Sequence, residues 1–346
     1  MDTTTTESRR THPVTRDRRS TRSTEASKIP ETMRAAAIDR FGGADVLSLH
    51  TLPVPKVGVG EVLIAVDTAG VGVWDAEIRE GSWAPSRTRF PLVLGTDGSG
   101  VIAALGSGVR RFKLDDRVYA YAFDNPKGGF YAEYVAVSAK MVAHIPKPLD
   151  LLHAGAIPTT GLTALQGIDD ALHLKKSETI IINGATGGVG SLAVQFAKLR
   201  AARVLVTASG EDGLEFARGL GADIAVDRRR EDIAAAAREF APDGVDAVLA
   251  LAGGDSLERC LDAVRPGGRV AYPNGIDPEP KKRRGIHIIP YDAVPGVREF
   301  DRLGRAVEAA NLKVPIAGVY ALADAAKAHE RLAAGHVLGK IVLRTH

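Results

Sequence analysis

The chain has 346 residues, of which 45% are hydrophobic and 25% charged, and its formal net charge is +3 at pH 7. No run approaches the roughly 20 apolar residues of a membrane span, the N-terminus lacks the apolar core of a secretory signal, and the single cysteine, Cys260, excludes an internal disulfide and a cysteine-rich zinc site. Residues 1–30 hold seven Lys or Arg and four Asp or Glu, so their excess of 7 − 4 = 3 accounts for the net charge, and the balanced remainder predicts no nucleic-acid-binding surface. The single cysteine favours a reducing, cytoplasmic location.

The N-terminal segment is rich in Thr, Ser and Arg and has almost no apolar side chains. It cannot bury enough surface to offset the entropy lost on ordering, so residues 1–32 are predicted to form a disordered tail. A mitochondrial transit peptide is the alternative. Such peptides avoid acids, and Asp2, Glu7, Asp17 and Glu25 argue against that reading.

Short apolar runs separated by glycine and proline turns follow the tail. They predict strands at 34–39, 46–50, 61–67, 92–94, 101–105, 117–122 and 132–137, with a short helix at 74–81. Many short strands with glycine turns are typical of a compact, partly open β-barrel.

The pattern changes after Pro148, where helices are predicted at 151–157 and 160–172. Strands at 179–182, 203–207, 224–226, 247–250, 269–272 and 286–289 then alternate with helices at 191–200, 213–220, 233–240 and 257–264. Strands joined by crossover helices predict a doubly wound parallel sheet. After a helix at 302–310, the elements at 314–322, 323–333 and 340–343 are expected to rejoin the barrel.

The stretch TIIINGATGGVG at residues 179–190 joins a buried strand, a glycine-rich turn and the start of a helix. Glycines let the backbone approach a pyrophosphate, and a helix N-terminus offers free N–H groups. An ordinary glycine-rich turn is the alternative, because the glycine spacing is a variant of the usual motif. The predicted dinucleotide contacts in this turn are Gly184, Ala185, Thr186, Gly187, Gly188, Val189 and Gly190.

Five further stretches resemble the medium-chain dehydrogenase/reductase superfamily, and within it the zinc-free quinone oxidoreductase lineage. They are AIDRFGGADVL at 37–47, DRV at 116–118, GFYAEYV at 129–135, AIPTTGLTA at 156–164 and GKIVL at 339–343. The resemblance implies an α/β enzyme with a GroES-like barrel as catalytic domain, at residues 33–154 and 311–346. It implies a Rossmann nucleotide-binding domain at residues 155–310, with cofactor and substrate in the cleft between the two.

The same resemblance places Gly72, Thr96 and Ala156 at the three ligand positions of zinc-dependent members. Gly and Ala have no donor atom and Thr is a poor zinc ligand, so a metal-free enzyme is predicted. Without a Lewis acid to polarise a carbonyl, an acceptor activated by conjugation suits direct hydride transfer. A quinone or an α,β-unsaturated carbonyl compound is such an acceptor.

The end of the second strand of the parallel sheet favours NADPH over NADH. NAD-type sites carry an acid there, whereas residues 206–210 contain none and Ser209 can donate to a phosphate. Arg228 lies where many relatives have a tyrosine beside the 2′-phosphate, and its guanidinium could supply positive charge. Glu211 and Asp212 count against NADPH if they point inward, and a solvated basic run is the alternative for residues 228–230.

Other predicted cofactor contacts lie at strand ends and in motifs of the resemblance. Thr160 and Thr163 match positions on the nicotinamide side in relatives, with helix capping and packing as the alternative role. The remaining predicted contacts are Ala252, Gly253, Asn274, Gly275 and Lys340.

Asp75 and Tyr131 are the predicted catalytic residues. Asp75 matches an aspartate on the barrel side of the cleft in relatives. Hydride transfer to an enone creates an enolate that needs a proton, for which Tyr131 or ordered water is a candidate source. Trp83 and Tyr131 could also offer aromatic surface to an acceptor. A buried structural role is the alternative for each of these residues.

These patterns together predict a zinc-independent, NADPH-dependent oxidoreductase that reduces a small quinone or enone. The alternatives are an enoyl-thioester reductase of the same fold and an NADPH-binding sensor that has lost turnover. A homodimer is expected, formed through the edge strand near residues 286–289 that ends at Pro290. Neither a nucleic acid nor a membrane is expected as a partner.

Overall fold

The computed structural model describes residues 1–2, 29–84 and 88–346, and residues 31–346 form the body described below. The predicted tail at 1–32 therefore lies almost entirely outside the described residues. Within residues 29–84 and 88–346, no helix combines the length and apolar character that a membrane span needs.

The first half of the chain forms mostly short strands and one helix next to the cavity described below. The helix is α1 (Val73–Glu80). The strands are β1 (Thr32–Ile38), β2 (Ser48–Pro53), β3 (Glu61–Val71), β4 (Leu92–Val93), β5 (Asp97–Leu105), β6 (Arg117–Tyr121), β7 (Tyr134–Ser138) and β8 (Val142–His144).

The second half alternates helices and strands, and its strands are parallel. The helices are α2 (Leu151–Gly155), α3 (Pro158–Gln166), α4 (Gly188–Leu199), α5 (Gly210–Gly219), α6 (Ile233–Phe240), α7 (Asp255–Leu261) and α8 (Val297–Ala310). The strands are β9 (Thr179–Asn183), β10 (Arg203–Ala208), β11 (Ile224–Asp227), β12 (Val245–Ala250), β13 (Val264–Pro273) and β14 (His287–Tyr291), in the spatial order β11-β10-β9-β12-β13-β14.

The centre of this sheet shows why the sequences of its strands are continuous apolar runs. All of β9 is buried, and alternate side chains of a strand point to opposite faces. Ile180 and Ile182 belong to the core on one face, whereas Ile181 belongs to the core on the other. Helices cover both faces, so no position of β9 calls for a polar side chain to meet water.

The last elements return to the barrel. They are β15 (Ile316–Ala321), α9 (Ala325–Ala333) and β16 (Lys340–Arg344). Strand β16 pairs antiparallel with β3 in a sheet ordered β15-β16-β3-β5-β6-β8, while β7 also pairs with β3 and β2-β1-β4 form a separate sheet. A bridge between Gly187 and Gly339 joins the glycine turn to the start of β16 and so places Lys340 beside it.

The predicted α/β fold class, a barrel plus a parallel Rossmann sheet, is confirmed. Several predicted boundaries differ for local reasons. The strand expected at 46–50 starts at Ser48, because Ala44–Val46 form a 3₁₀ turn. The helix expected at 160–172 starts at Pro158, a residue suited to a first helical turn, and passes into a π-turn at Gly167–Ala171.

Candidate active site

A cavity of about 780 Å³ lies where the glycine turn meets the barrel, and residues from both halves of the chain form its wall. Ten of the predicted cofactor contacts lie on this wall. They are Thr160, Thr163, Gly184, Gly187, Gly188, Val189, Gly190, Asn274, Gly275 and Lys340. The other predicted contacts are not among the lining residues: Ala185, Thr186, Ser209, Arg228, Ala252 and Gly253.

The glycines of the turn are required for different physical reasons. Gly184 has φ +87, a left-handed conformation that favours glycine. A Cβ on Gly190 would lie 2.3 Å from the Gly184 carbonyl oxygen, so this glycine lets α4 pack closely against the turn. Gly187 caps α4 with φ −76, and a Cβ there would meet nothing nearer than 3.9 Å. The space beside Gly187 is therefore open to a ligand.

Two buried polar groups on the wall lack hydrogen-bond partners among the described residues. Lys340 is only 5% exposed and its Nζ is unpartnered, as is Thr159 Oγ1. The Lys340 side chain runs beside the turn, since a Cβ on Gly188 would lie 3.2 Å from Lys340 Cδ. Buried polar groups are normally paired, so this pair fits a site completed by a polar, anionic ligand. The first-turn N–H groups of α4 fit the same ligand.

The residues of the expected phosphate site lie together at the end of the second strand of the sheet. Arg228 Nε donates to Ser209 Oγ at 2.7 Å, which brings the guanidinium to the tip of β10. The two acids that argued against NADPH are engaged elsewhere, Glu211 with Arg218 at 3.3 Å and Asp212 with His336 at 2.7 Å. A guanidinium and a hydroxyl together suit a phosphate better than a ribose diol.

The remaining predicted contacts serve the packing around the turn. The Thr186 carbonyl accepts from Gly339 N at 2.8 Å, and the Ala252 carbonyl accepts from Asn183 Nδ2 at 2.7 Å. A Cβ on Gly253 would lie 2.5 Å from the Asp277 carbonyl oxygen. Ala185 is fully buried in the core. These residues pack around the turn and do not line the cavity.

The barrel end of the cavity is aromatic. Trp74, Trp83, Tyr121 and Phe123 line it, and the Trp83 and Phe123 rings meet edge to face with centroids 6.0 Å apart. Trp83 also packs on Gly275, where a Cβ would lie 2.8 Å from the indole. Sequence reasoning identified Trp83 but missed Trp74 on α1, Tyr121 on β6 and Phe123 just after β6, because a single aromatic residue more often fills the core than lines a site.

Asp75 and Tyr131 do not line the cavity; both side chains are fully buried behind it. Tyr131 Oη donates to Asp75 Oδ2 at 3.4 Å, and Gly72 N donates to the same oxygen at 2.8 Å. His329 Nε2 lies 3.1 Å from Tyr131 Oη, and Arg79 Nη1 lies 2.8 Å from His329 Nδ1. Because arginine has only donors, Nδ1 accepts and Nε2 carries the hydrogen.

This buried hydrogen-bonded cluster favours the structural alternative for both residues over a catalytic role. Tyr131 has no face on the cavity, so its placement does not fit aromatic contact with an acceptor or direct proton transfer to it. Asp75 holds the first turn of α1 through Gly72 N, which is a positioning role. Sequence reasoning missed His329 because α9 reaches Tyr131 only through the tertiary fold.

Burial controls the charge states of Asp75 and His329 in this hydrogen-bonded cluster. Burial, and then the negative charge of Asp97, raise the pKa of Asp75 to about 7. Burial, and then the neighbouring Arg79 guanidinium, lower the pKa of His329 to about 3. Near neutral pH the imidazole is therefore uncharged and Asp75 is close to its titration midpoint.

The three positions of the zinc ligands in related enzymes serve other contacts here. The Trp74 indole stands over Gly72, and Thr96 Oγ1 accepts from Trp74 Nε1 at 2.6 Å. The Ala156 carbonyl accepts from Thr160 Oγ1 at 2.9 Å. Across residues 1–2, 29–84 and 88–346, no group of three or more His, Cys, Asp or Glu side chains is arranged to hold a metal ion.

Comparison with known families finds two matching models. The alcohol dehydrogenase GroES-like domain matches residues 58–147, and the zinc-binding dehydrogenase model matches residues 220–343. Among curated proteins, the NADPH-dependent alkenal/one oxidoreductase of Arabidopsis thaliana is 33% identical, covering 92% of this chain and 81% of the relative. A quinone oxidoreductase of Pseudomonas aeruginosa is 32% identical, covering 88% and 97%.

Solved structures agree with this relationship. The quinone oxidoreductase from Coxiella burnetii superposes with a TM-score of 0.82 at 32% identity, over 91% of this chain and all of that one. A mycobacterial protein complexed with NADPH superposes with a TM-score of 0.80 at 27% identity, over 90% and 100%.

Proposed function

The chain belongs to the quinone oxidoreductase-like branch of the medium-chain dehydrogenase/reductase superfamily, and from this premise we propose that it uses NADPH to reduce a quinone or an α,β-unsaturated carbonyl compound. The observation that carries the proposal is the single continuous cavity of about 780 Å³, which joins the glycine turn to the aromatic end of the barrel. Such a cavity places cofactor and acceptor side by side, as hydride transfer requires.

The residues of this chain that would hold NADPH lie along the glycine turn and the tip of β10. The open space beside Gly187 and the first turn of α4 suit the pyrophosphate, and Lys340 adds a positive charge beside them. Ser209 and Arg228 suit the 2′-phosphate. When bound, NADPH supplies the hydride; the protein supplies position, charge and exclusion of water.

Arg228→Ala is expected to weaken NADPH binding about tenfold or more while leaving NADH binding unchanged, because only NADPH carries the phosphate that this guanidinium would bind. Arg229→Ala is the matched control, since Arg229 is exposed and adjacent. Fluorescence titration of both nucleotides against both variants measures the effect. An equal loss for NADH and NADPH would show that Arg228 acts on the fold of the strand tip and not on the phosphate.

The barrel end favours flat conjugated acceptors. Its aromatic side chains offer apolar surface and exclude water, which stabilises neutral ring systems and strengthens local electrostatic interactions. The buried Lys340 ammonium lies close to where negative charge would develop on the acceptor oxygen, so it would stabilise the reduced product electrostatically.

Zinc independence is part of the proposal, and the donor set supports it. Gly72 and Ala156 have no side-chain donor, and Thr96 Oγ1 is already bound to the Trp74 indole. A conjugated acceptor needs no Lewis acid for hydride addition. Incubation with a strong chelator should therefore leave the rate unchanged, and elemental analysis that finds one tightly bound zinc per chain would contradict this.

The decisive experiment follows NADPH oxidation with a panel of acceptors. We expect turnover with ring quinones and aryl enones, and none with a saturated ketone of the same size. Turnover confined to enoyl thioesters would identify the protein as an enoyl-thioester reductase of the same fold. Tight NADPH binding without turnover of any acceptor would identify a sensor and overturn the enzyme assignment.

A homodimer and a cytoplasmic location are also proposed. Strand β14 is the last strand of the parallel sheet, and edge strands have unpaired backbone groups that a second copy could pair with. Outside residues 1–30 the basic and acidic side chains are equal in number, so repulsion between net charges does not oppose such pairing. Light scattering at micromolar concentration tests the dimer, which a monomer mass would refute.

A further inference from the structure

The indole of Trp74 occupies space that only a glycine at position 72 leaves free. A Cβ on Gly72 would lie 2.2 Å from Cε2 and 2.3 Å from Cζ2 of the indole. Gly72 has φ −117 and ψ 162, a conformation that any residue adopts. The missing side chain therefore provides room for the ring and relieves no backbone strain.

Two further contacts fix the ring at the junction between the glycine turn and the aromatic wall. Trp74 Nε1 donates to Thr96 Oγ1 at 2.6 Å, and Lys340 Nζ lies 4.7 Å from the ring centroid. The Lys340 side chain reaches this point by passing Gly188, where a Cβ would lie 3.2 Å from its Cδ. An acceptor that receives hydride at this junction has to lie close to the indole.

The indole and the Lys340 side chain stand side by side on the wall of the same cavity. Lys340 Nζ is shielded from solvent and lies close to the ring. The other charged groups lining the cavity within the described residues are the acids Glu77 and Asp292. With one basic and two acidic groups on this wall, charge alone does not select the acceptor, and the flat apolar face of the indole is the feature that can.

We propose that Trp74, seated over Gly72, is the specificity-determining residue of this cavity and selects planar conjugated acceptors over branched aliphatic ones. The inference rests on the proposed function, because it names the acceptor class of the same site. A planar ring gains stacking contact with the indole, whereas a branched chain cannot lie flat on it. The Trp74 ring accomplishes this only while position 72 lacks a side chain.

A binding experiment tests the position of the Trp74 indole, and it requires no catalytic turnover. The chain has two tryptophans, so Trp83→Phe leaves Trp74 as the only indole fluorophore. Titration of this variant with 1,4-naphthoquinone, without NADPH, should give saturable quenching. Adding Gly72→Ala should raise the apparent dissociation constant about tenfold, because the new methyl group unseats the ring. Linear collisional quenching that is equal in both proteins would overturn the proposal.

A turnover experiment tests selectivity. Relative to wild type, Gly72→Ala and Trp74→Leu should each reduce the preference in kcat/KM for an aryl enone over a branched aliphatic enone about tenfold. The double variant should lose no more than either single variant, because both remove the same contact. Gly219→Ala is the control, since a Cβ there meets no heavy atom within 4 Å.

The two proposals fail in different ways. If wild type reduces quinones but Gly72→Ala keeps the full preference for planar acceptors, the role of Trp74 is refuted and the proposed function stands. If no acceptor is reduced while quenching remains saturable and sensitive to Gly72→Ala, the planar-ligand site stands and the proposed function fails. Thermal melts of each variant confirm that the compared proteins are folded.

Discussion

Replacing Gly187 with valine is expected to weaken NADPH binding roughly 30- to 1000-fold and to leave the fold intact. The loss corresponds to about 2–4 kcal/mol, from lost N–H contacts to the pyrophosphate and from steric exclusion. The fold tolerates the change because a Cβ at Gly187 meets nothing nearer than 3.9 Å, and φ −76 with ψ 179 suits a β-branched residue. The added methyl groups would then occupy space on the cavity wall.

Two neighbouring glycines make the test sharper. Gly190→Ala forces a Cβ to within 2.3 Å of the Gly184 carbonyl oxygen, so it should lower the melting temperature whether or not cofactor is present. Gly188→Val is less informative, since its side chain would displace Lys340 and Thr160 as well as a phosphate. Fluorescence titration and thermal melts of Gly187→Val decide the matter. Wild-type affinity in a normally folded variant would show that this turn does not bind the cofactor.

Replacing Asp75 with asparagine is expected to change how stability depends on pH. The folded chain holds a proton on Asp75 up to about pH 7, whereas the unfolded chain releases it near 3.8. This raised pKa contributes stability that is fully present below the unfolded value and is lost as the pH rises through about 7. The difference of about three pKa units corresponds to about 4 kcal/mol in the free energy of unfolding. Asparagine cannot ionise, so the variant lacks this loss.

The measurement compares wild type with Asp75→Asn by urea unfolding from pH 4 to pH 8. Wild type should lose stability relative to the variant as the pH rises. His329 acts in the opposite direction, since its pKa of about 3 costs stability as the pH falls below 6.5, but it is present in both proteins and cancels in the comparison. Asp243→Asn, at an exposed aspartate, should follow wild type throughout. A constant difference between wild type and Asp75→Asn would refute the buried titration.

The sequence by itself determined the order of elements and the location of the dinucleotide turn. The run III at residues 180–182 is apolar at every position because β9 is covered on both faces, and that pattern is visible without a structure. The glycines of residues 184–190 mark the turn because their roles are local: Gly184 needs its left-handed φ, and Gly190 packs within its own turn. Local chemistry of this kind is encoded by neighbours in the chain.

Only the tertiary structure decided what lies on the cavity wall and what lies behind it. Tyr131 was a candidate to meet the acceptor and Asp75 was expected on the barrel side of the cleft, yet Tyr131 turns inward to His329, which is 198 residues away in the sequence. Trp74 faces the cavity because Gly72 leaves space for its indole, and because Thr96 from the segment before β5 and Lys340 from β16 hold it. Such contacts join segments that are distant in the chain. Their geometry follows from packing, which residue type and spacing do not specify.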